Sequence, residues 1–272
     1  MTKNNRFKQE VRAYQRAFDV PYMKALDAVS KPFIITPDME SLLEPLQDLM
    51  RNRHGVMTLI AGRTNSGKTY LQHYLATEMS KQSYRVIELD SNDELKNWVI
   101  PSLEKSRSLG EFSDNLSVLI KSDSSNAKGD DMVGGSLRMA PDLISLPELR
   151  DLGQFENTVV GLSSGTNFLG AIHSSGNYYS AIQRYIQLFR PNFLNYFDEK
   201  MPADNFIRHT LGMVIDVDRV RVNGKSFVFA SHYVMDMDLF QAWSQGNLEE
   251  ALRSRGFVSA QEKKEKFLQN SE

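Results

Sequence analysis

Gly62-Arg63-Thr64-Asn65-Ser66-Gly67-Lys68-Thr69 is the stretch on which the fold turns. Before it stands an apolar run, Val56-Met57-Thr58-Leu59-Ile60-Ala61, and after it Tyr70-Leu71-Gln72-His73-Tyr74-Leu75-Ala76, which reads as a helix. A buried strand, a glycine-bearing turn and a helix in that order, with Lys and Thr closing the turn, are the spacing of a phosphate-binding loop (P-loop). Each part has a physical task. The glycines let the backbone wrap close enough for amides to donate to an anion at the helix N-terminus. Lys68 reaches the outer phosphates of a nucleoside triphosphate, and the Thr69 hydroxyl can ligate Mg²⁺. The stretch therefore predicts ATP and Mg²⁺ as ligands, with residues 62–69 cradling the phosphates.

Working outward, the 272-residue chain is long enough for one large domain with a small appendage. Its 41% hydrophobic and 24% charged content are those of an ordinary globular protein. A net charge of −2 gives no global pull toward nucleic acid or anionic membrane. With no cysteine, disulfides, thiolate metal sites and cysteine nucleophiles are excluded. No apolar run approaches a membrane span and the polar start leads into no signal-peptide core, so the expected location is the cytoplasm.

Upstream, Phe7, Val11, Tyr14 and Phe18 fall at helical spacing with Lys8, Arg12 and Arg16 elsewhere on the turn, an amphipathic helix with a basic face. Its apolar stripe either packs on the main domain or docks a partner or membrane surface. Pro32 and Pro37 punctuate a connector, and Met39 to Met50 reads as a helix with Leu42, Leu43, Leu46 and Leu49 inward. Downstream, Tyr84 to Leu89 reads as a second strand ending at Glu88 and Asp90, followed by Asp93 and Glu94. Acids at the carboxyl edge of an open sheet either hold Mg²⁺ or a water, or cap a helix starting near Glu94. Leu116 to Ile120 suggests a strand, and the Ser-, Asp- and Gly-rich residues 121–136 read as a mobile loop.

Leu143 to Leu146 is a short apolar strand that delivers Glu148, a carboxylate suited to orienting and deprotonating an attacking water or binding the metal through water. Phe168 to His173 is another apolar run, ending in a histidine placed either to sense a γ-phosphate or to serve structure alone. Tyr178 to Phe189 is an amphipathic helix. Met213 to Met235 reads as two strands joined at Asn223-Gly224, a hairpin turn. Residues 237–269 look helical and include Glu262-Lys263-Lys264-Glu265-Lys266, which reads as a solvated face.

Taken together, this ordered set resembles the secretion ATPase superfamily, the hexameric motors of type II secretion, type IV pili and type IV secretion or conjugation. His54-Gly55 through Thr69 resembles the family's Walker A entry. Leu137-Arg138-Met139 with Pro141-Asp142 and Glu148-Leu149-Arg150-Asp151 is similar to its Walker B segment, and Gly170 to His173 to its histidine box. Glu88 to Leu95 matches its acidic box more loosely, with Leu89 interrupting the expected acidic pair. Pro147 stands where glycine is typical, and Ala171 replaces a common threonine. The resemblance runs over roughly residues 36–268. It implies an α/β, RecA-like P-loop NTPase with a central, mostly parallel sheet, divided as an N-terminal helix and connector (1–36), an ATPase core (37–236) and a helical C-terminal tail (237–272).

The same resemblance implies an Mg²⁺-dependent ATP hydrolase in which Lys68, Glu148 and His173 carry the chemistry, and Thr69 with Glu88 or Asp90 binds the metal. It implies a homohexamer, cytoplasmic and peripheral to the inner membrane, working with inner-membrane components of its machine and touching nucleic acid only indirectly if conjugative. Family members carry an N-terminal domain of about a hundred residues that supplies arginines to the active site. Only about 35 residues precede the resemblance here, which leaves the source of those arginines open. Two other classes fit the residues: a nucleotide-binding assembly or regulatory subunit that hydrolyses poorly, and a DNA-acting P-loop ATPase.

Overall fold

The computed structural model describes residues 3–31, 34–90, 117–121, 129–146, 148–149, 156–174, 178–196 and 203–269. Its centre is β1 (Met57–Gly62), six uncharged residues buried along their whole length. Such a strand belongs in the middle of a parallel sheet covered on both faces. On one side it pairs in parallel with β5 (Asn167–His173), on the other with β6 (Leu211–Val222). With β2 (Val86–Asp90), β3 (Ser117–Lys121), β4 (Leu143–Leu146) and β7 (Lys225–Val234), the sheet runs β3-β2-β4-β5-β1-β6-β7. Among the described strands only the β6–β7 pair is antiparallel. Its turn is Asn223-Gly224, with φ of 51° and 90°, the left-handed pair that a two-residue hairpin requires.

Helices cover both faces: α1 (Lys3–Phe18), α2 (Tyr22–Ser30), α3 (Pro37–Glu40), α4 (Leu43–Asn52), α5 (Lys68–Lys81), α6 (Gly129–Leu137), α7 (Glu156–Ser163), α8 (Tyr178–Tyr196), α9 (Ala203–Thr210), α10 (Met237–Ser244), α11 (Leu248–Ser254) and α12 (Ala260–Gln269). The two-residue period of a strand divides β1 between two cores. Ile60 meets α4 and α5 through Leu46, Leu71 and Leu75. Met57, Leu59 and Ala61 face Ile182, Tyr185 and Trp243 of α8 and α10. This α/β arrangement is that of a RecA-like P-loop NTPase.

A third cluster forms where the hairpin runs past the main sheet. Val11 and Tyr14 of α1, Ala25 and Val29 of α2, Phe227 and Phe229 of β7, and Phe267 of α12 bury one another. The Phe18 ring stacks on Phe229 at 5.2 Å. Strand β7 is an edge, and unpaired edge groups invite foreign strands. Here they are engaged from within: Thr36 Oγ1 donates to Val228 O, Ala230 N donates to Asp38 Oδ2, and Lys263 Nζ donates to Ala230 O.

Three expectations change. The loop expected over 121–136 contains helix α6 over Gly129–Leu137, while 122–128 lie outside the described residues. Met132, Val133 and Ser136 are buried on one face of α6, and a Cβ on Gly134 would come within 2.8 Å of Asn157 Nδ2. Gly134 therefore permits a close helix approach. The helix expected over 39–50 is two, α3 and α4, because Pro45 in the first turn of α4 has no amide to continue a helix from Ser41. The charged run 262–266 is not a plain solvated face: Lys264 Nζ donates to Asp218 Oδ2 at 2.9 Å and Lys263 Nζ to Asp38 Oδ2 at 3.2 Å. Asp93, Glu94, Pro147, Arg150 and Asp151 lie outside the described residues.

Candidate nucleotide site

Parallel strands all end at one edge of their sheet, where the following loops gather. At that edge β1 gives way at Gly62 to the turn of residues 63–67, and α5 begins at Lys68. Asn65 (φ 63°) and Gly67 (φ 97°) take left-handed backbone, folding the turn back over the strand end. A Cβ on Gly62 would lie 2.4 Å from Ser66 Oγ and 2.5 Å from Val217 O, so only glycine allows this wrap. Lys68 is 7% exposed, and its Nζ donates to Gly62 O at 3.1 Å and Arg63 O at 2.9 Å. Ser66 Oγ is buried, with no hydrogen-bond partner among the described residues. A tight turn with an unsatisfied hydroxyl, a lysine curled inside it and a helix N-terminus beyond is chemically suited to a phosphate chain.

Register brings the histidine to this loop. Gly62 and His173 are partners across β1 and β5, Ser174 N donates to Gly62 O at 3.2 Å, and Thr64 Oγ1 lies 3.3 Å from His173 Nδ1. Strand β5 lies between β1 and β4, so Glu148 is one strand further out. Just past β4, Leu149 N donates to Ala171 O at 2.7 Å, holding partly buried Glu148 at the strand-end edge that carries His173. Residues 62–69 and His173 are therefore in contact, and Glu148 stands at the same edge.

Glu88 is placed differently. It is buried, and its carboxylate lies 3.0 and 3.2 Å from His73 Nδ1 on α5. Asp90 ends β2 two residues further on. Among the described residues no group of three His, Asp or Glu forms a ready-made metal cage. Mg²⁺ commonly takes one or two protein oxygens and completes its shell with phosphate and water. The Thr69 hydroxyl in the first turn of α5 suits that mode.

Sequence reasoning passed over Gln72. The Nε2 of this buried amide lies within hydrogen-bond reach of Ser145 Oγ at 2.9 Å, Leu169 O at 3.2 Å and Leu146 O, and its two hydrogens are shared among them, tying α5 to the end of β4 and to the body of β5. The one local signal was a polar residue within the buried stripe of Leu71, Leu75 and Ala76.

With this geometry in place, the chain can be compared with known proteins. No protein-family model matches the sequence, and no curated protein matches it. Among solved structures it is similar to the Legionella pneumophila ATPase DotB, at TM-score 0.55 and 17% identity over 82% of this chain and 63% of that one. It is similar also to the pilus retraction motor PilT with bound ADP, at TM-score 0.56 and 16% identity over 84% of this chain and 66% of that one. The chain thus spans just under two thirds of either protein's length. The likeness is one of fold: the chain has the RecA-like P-loop NTPase fold of these two solved structures.

Proposed function

We propose that the chain is an Mg²⁺-dependent ATP hydrolase acting as a motor subunit of a type IV secretion, conjugation or pilus machine. The observation that supports this most is the contact between Thr64 of the glycine turn and His173 of β5, with Glu148 at the same sheet edge. In this reading Lys68 exchanges the carbonyls of Gly62 and Arg63 for phosphate oxygens, while the amides of residues 63–69 hold the remaining charge. Thr69 supplies the hydroxyl ligand for the metal, and Glu88 would have to leave His73 to join it. Mg²⁺, when bound, neutralises charge on the β- and γ-phosphates. Glu148 orients and deprotonates the attacking water, and His173 reads the state of the loop through Thr64. An arginine supplied across an interface contributes about 10³ to 10⁵ in rate, so a homohexameric ring is the active form and an isolated protomer is slow. Among the described residues no helix is long and apolar enough to cross a membrane, in keeping with cytoplasmic attachment to inner-membrane components.

The test is ATP turnover against protein concentration for wild type, Lys68→Ala and Glu148→Gln, with mass measured in parallel. Turnover should rise as a hexamer forms. Lys68→Ala should abolish it, and Glu148→Gln should bind ATP without hydrolysing it. More than a tenth of wild-type activity in Lys68→Ala would reject the assignment. A monomer that binds ATP tightly without turnover would instead point to a nucleotide-binding regulatory subunit.

A further inference from the structure

The side of the glycine turn away from β5 faces the hairpin. There a Cβ on Gly67 would meet Val228 Cγ2 at 3.1 Å and Arg219 Cδ at 4.0 Å. Arg219 and Val228 are cross-strand partners, so both stand on the face of the hairpin turned toward α5. The guanidinium begins one bond beyond that Cδ, at the residue that caps α5. It has no hydrogen-bond acceptor among the described residues. The carboxylate whose charge acts on it, Asp218, is already committed: Oδ2 accepts from Lys264 Nζ, and Oδ1 accepts from the backbone amide of Arg219. Arg221, two residues along the same strand, acts on it as a like charge. Partial burial first, and then Arg221, pull the Arg219 pKa below its usual value. A cation held partly out of water, under the influence of a second cation and with Asp218 occupied elsewhere, is electrostatically unsatisfied. Arg63, Lys68 and Arg219 thus stand at one turn that carries no acid between residues 62 and 69.

We infer that Arg219 is a nucleotide-gripping arginine supplied by the chain to its own site: from the β6–β7 hairpin it hydrogen-bonds the diphosphate that ADP and ATP share, on the side of the P-loop opposite His173. The inference rests on the nucleotide reading of the loop given above. It differs from an arginine acting across a subunit interface in two respects: it needs no second protomer, and it contributes to binding rather than to cleavage of the γ-phosphate. A planar guanidinium can present two parallel donors to phosphate oxygens, which a lysine cannot reproduce.

The experiment is ADP and ATP affinity by calorimetry at low and at moderate salt, for wild type, Arg219→Ala, Arg219→Lys and Lys68→Ala, with the melting temperature of each protein measured without nucleotide. Arg219→Ala should weaken ADP and ATP by the same factor, roughly tenfold or more. Arg219→Lys should recover part of that loss. Without nucleotide, Arg219→Ala should melt no lower than wild type, because an uncompensated cation has been removed. Unchanged affinity for both nucleotides overturns the inference, as does a loss confined to ATP. A lower nucleotide-free melting temperature in Arg219→Ala with normal affinity would show a structural role and overturn it too. Wild type that binds neither nucleotide overturns the reading beneath, which Arg219→Ala alone cannot do.

Discussion

Asp216 offers the sharpest physical test of the fold, because it is a buried acid that caps the C-terminal helix where that helix meets the sheet. It lies on β6 opposite Ala61 of β1, is 7% exposed, and its Oδ2 accepts from Ala260 N at 2.8 Å, capping α12. Burial raises its pKa from 3.8 to about 6; the Ala260 amide opposes the rise, Asp218 and Glu262 add to it, and Lys263 opposes it. Between those two values the folded chain holds a proton that the unfolded chain has released. Stability from this group is therefore fully present below about pH 4, falls as pH rises through about 6, and stays lost above. A gap of roughly two pH units corresponds to about 3 kcal/mol. Asp216→Asn keeps an oxygen for the Ala260 amide and cannot ionise, so the variant should match wild type near pH 4 and exceed it by up to about 3 kcal/mol at pH 7.5. Urea unfolding followed by tryptophan fluorescence between pH 4 and 8 measures this. The difference between the two proteins is the quantity to read, because Glu262, held low first by the Ser259 amide, titrates with the opposite sign in both. Curves that stay parallel across the range, or a variant less stable at pH 7.5, would refute the reasoning.

Two further substitutions probe the loop and its support. Gly62→Ala would push a methyl against Ser66 Oγ and the Val217 carbonyl. It should cost about 1–3 kcal/mol in unfolding and weaken ADP binding, so wild-type affinity in a folded Gly62→Ala protein would contradict the tight wrap. Gln72→Leu keeps the volume but leaves Ser145, Leu146 O and Leu169 O without their donor. A loss of about 1–3 kcal/mol in urea unfolding is expected, and a neutral result would mean these groups find other partners.

What was legible in the sequence follows from how far each signal reaches along the chain. Strand β1, the glycine turn and the start of α5 are contiguous, and Asn223-Gly224 declares its hairpin by itself, so local chemistry was enough for both. Helix α6 was misread because glycine within a helix looks like freedom when viewed locally. Only α7, bringing Asn157 against Gly134, shows that the glycine makes room for a neighbour. The site shows the same limit. Thr64 and His173 lie 109 positions apart, and Gln72 and Ser145 lie 73 apart. Strand register brings them together, and no sequence window contains both. Glu88 read as a metal candidate because a strand-end acid offers no local sign that His73, on the preceding helix, will reach it.

The edge of the sheet carries this furthest. Thr36, Asp38 and Lys263 each look like an ordinary polar residue of a connector, a helix start or a charged run. Together they engage the outward groups of β7 at Val228 and Ala230. On one face of the same strand Val228 lies against Gly67, while on the opposite face Phe227 and Phe229 pack against α1 and α12. One short strand thus joins the connector, both terminal helices and the glycine turn. A substitution such as Phe229→Ala, far from residues 62–69 in sequence, removes packing from the wall against which the turn rests.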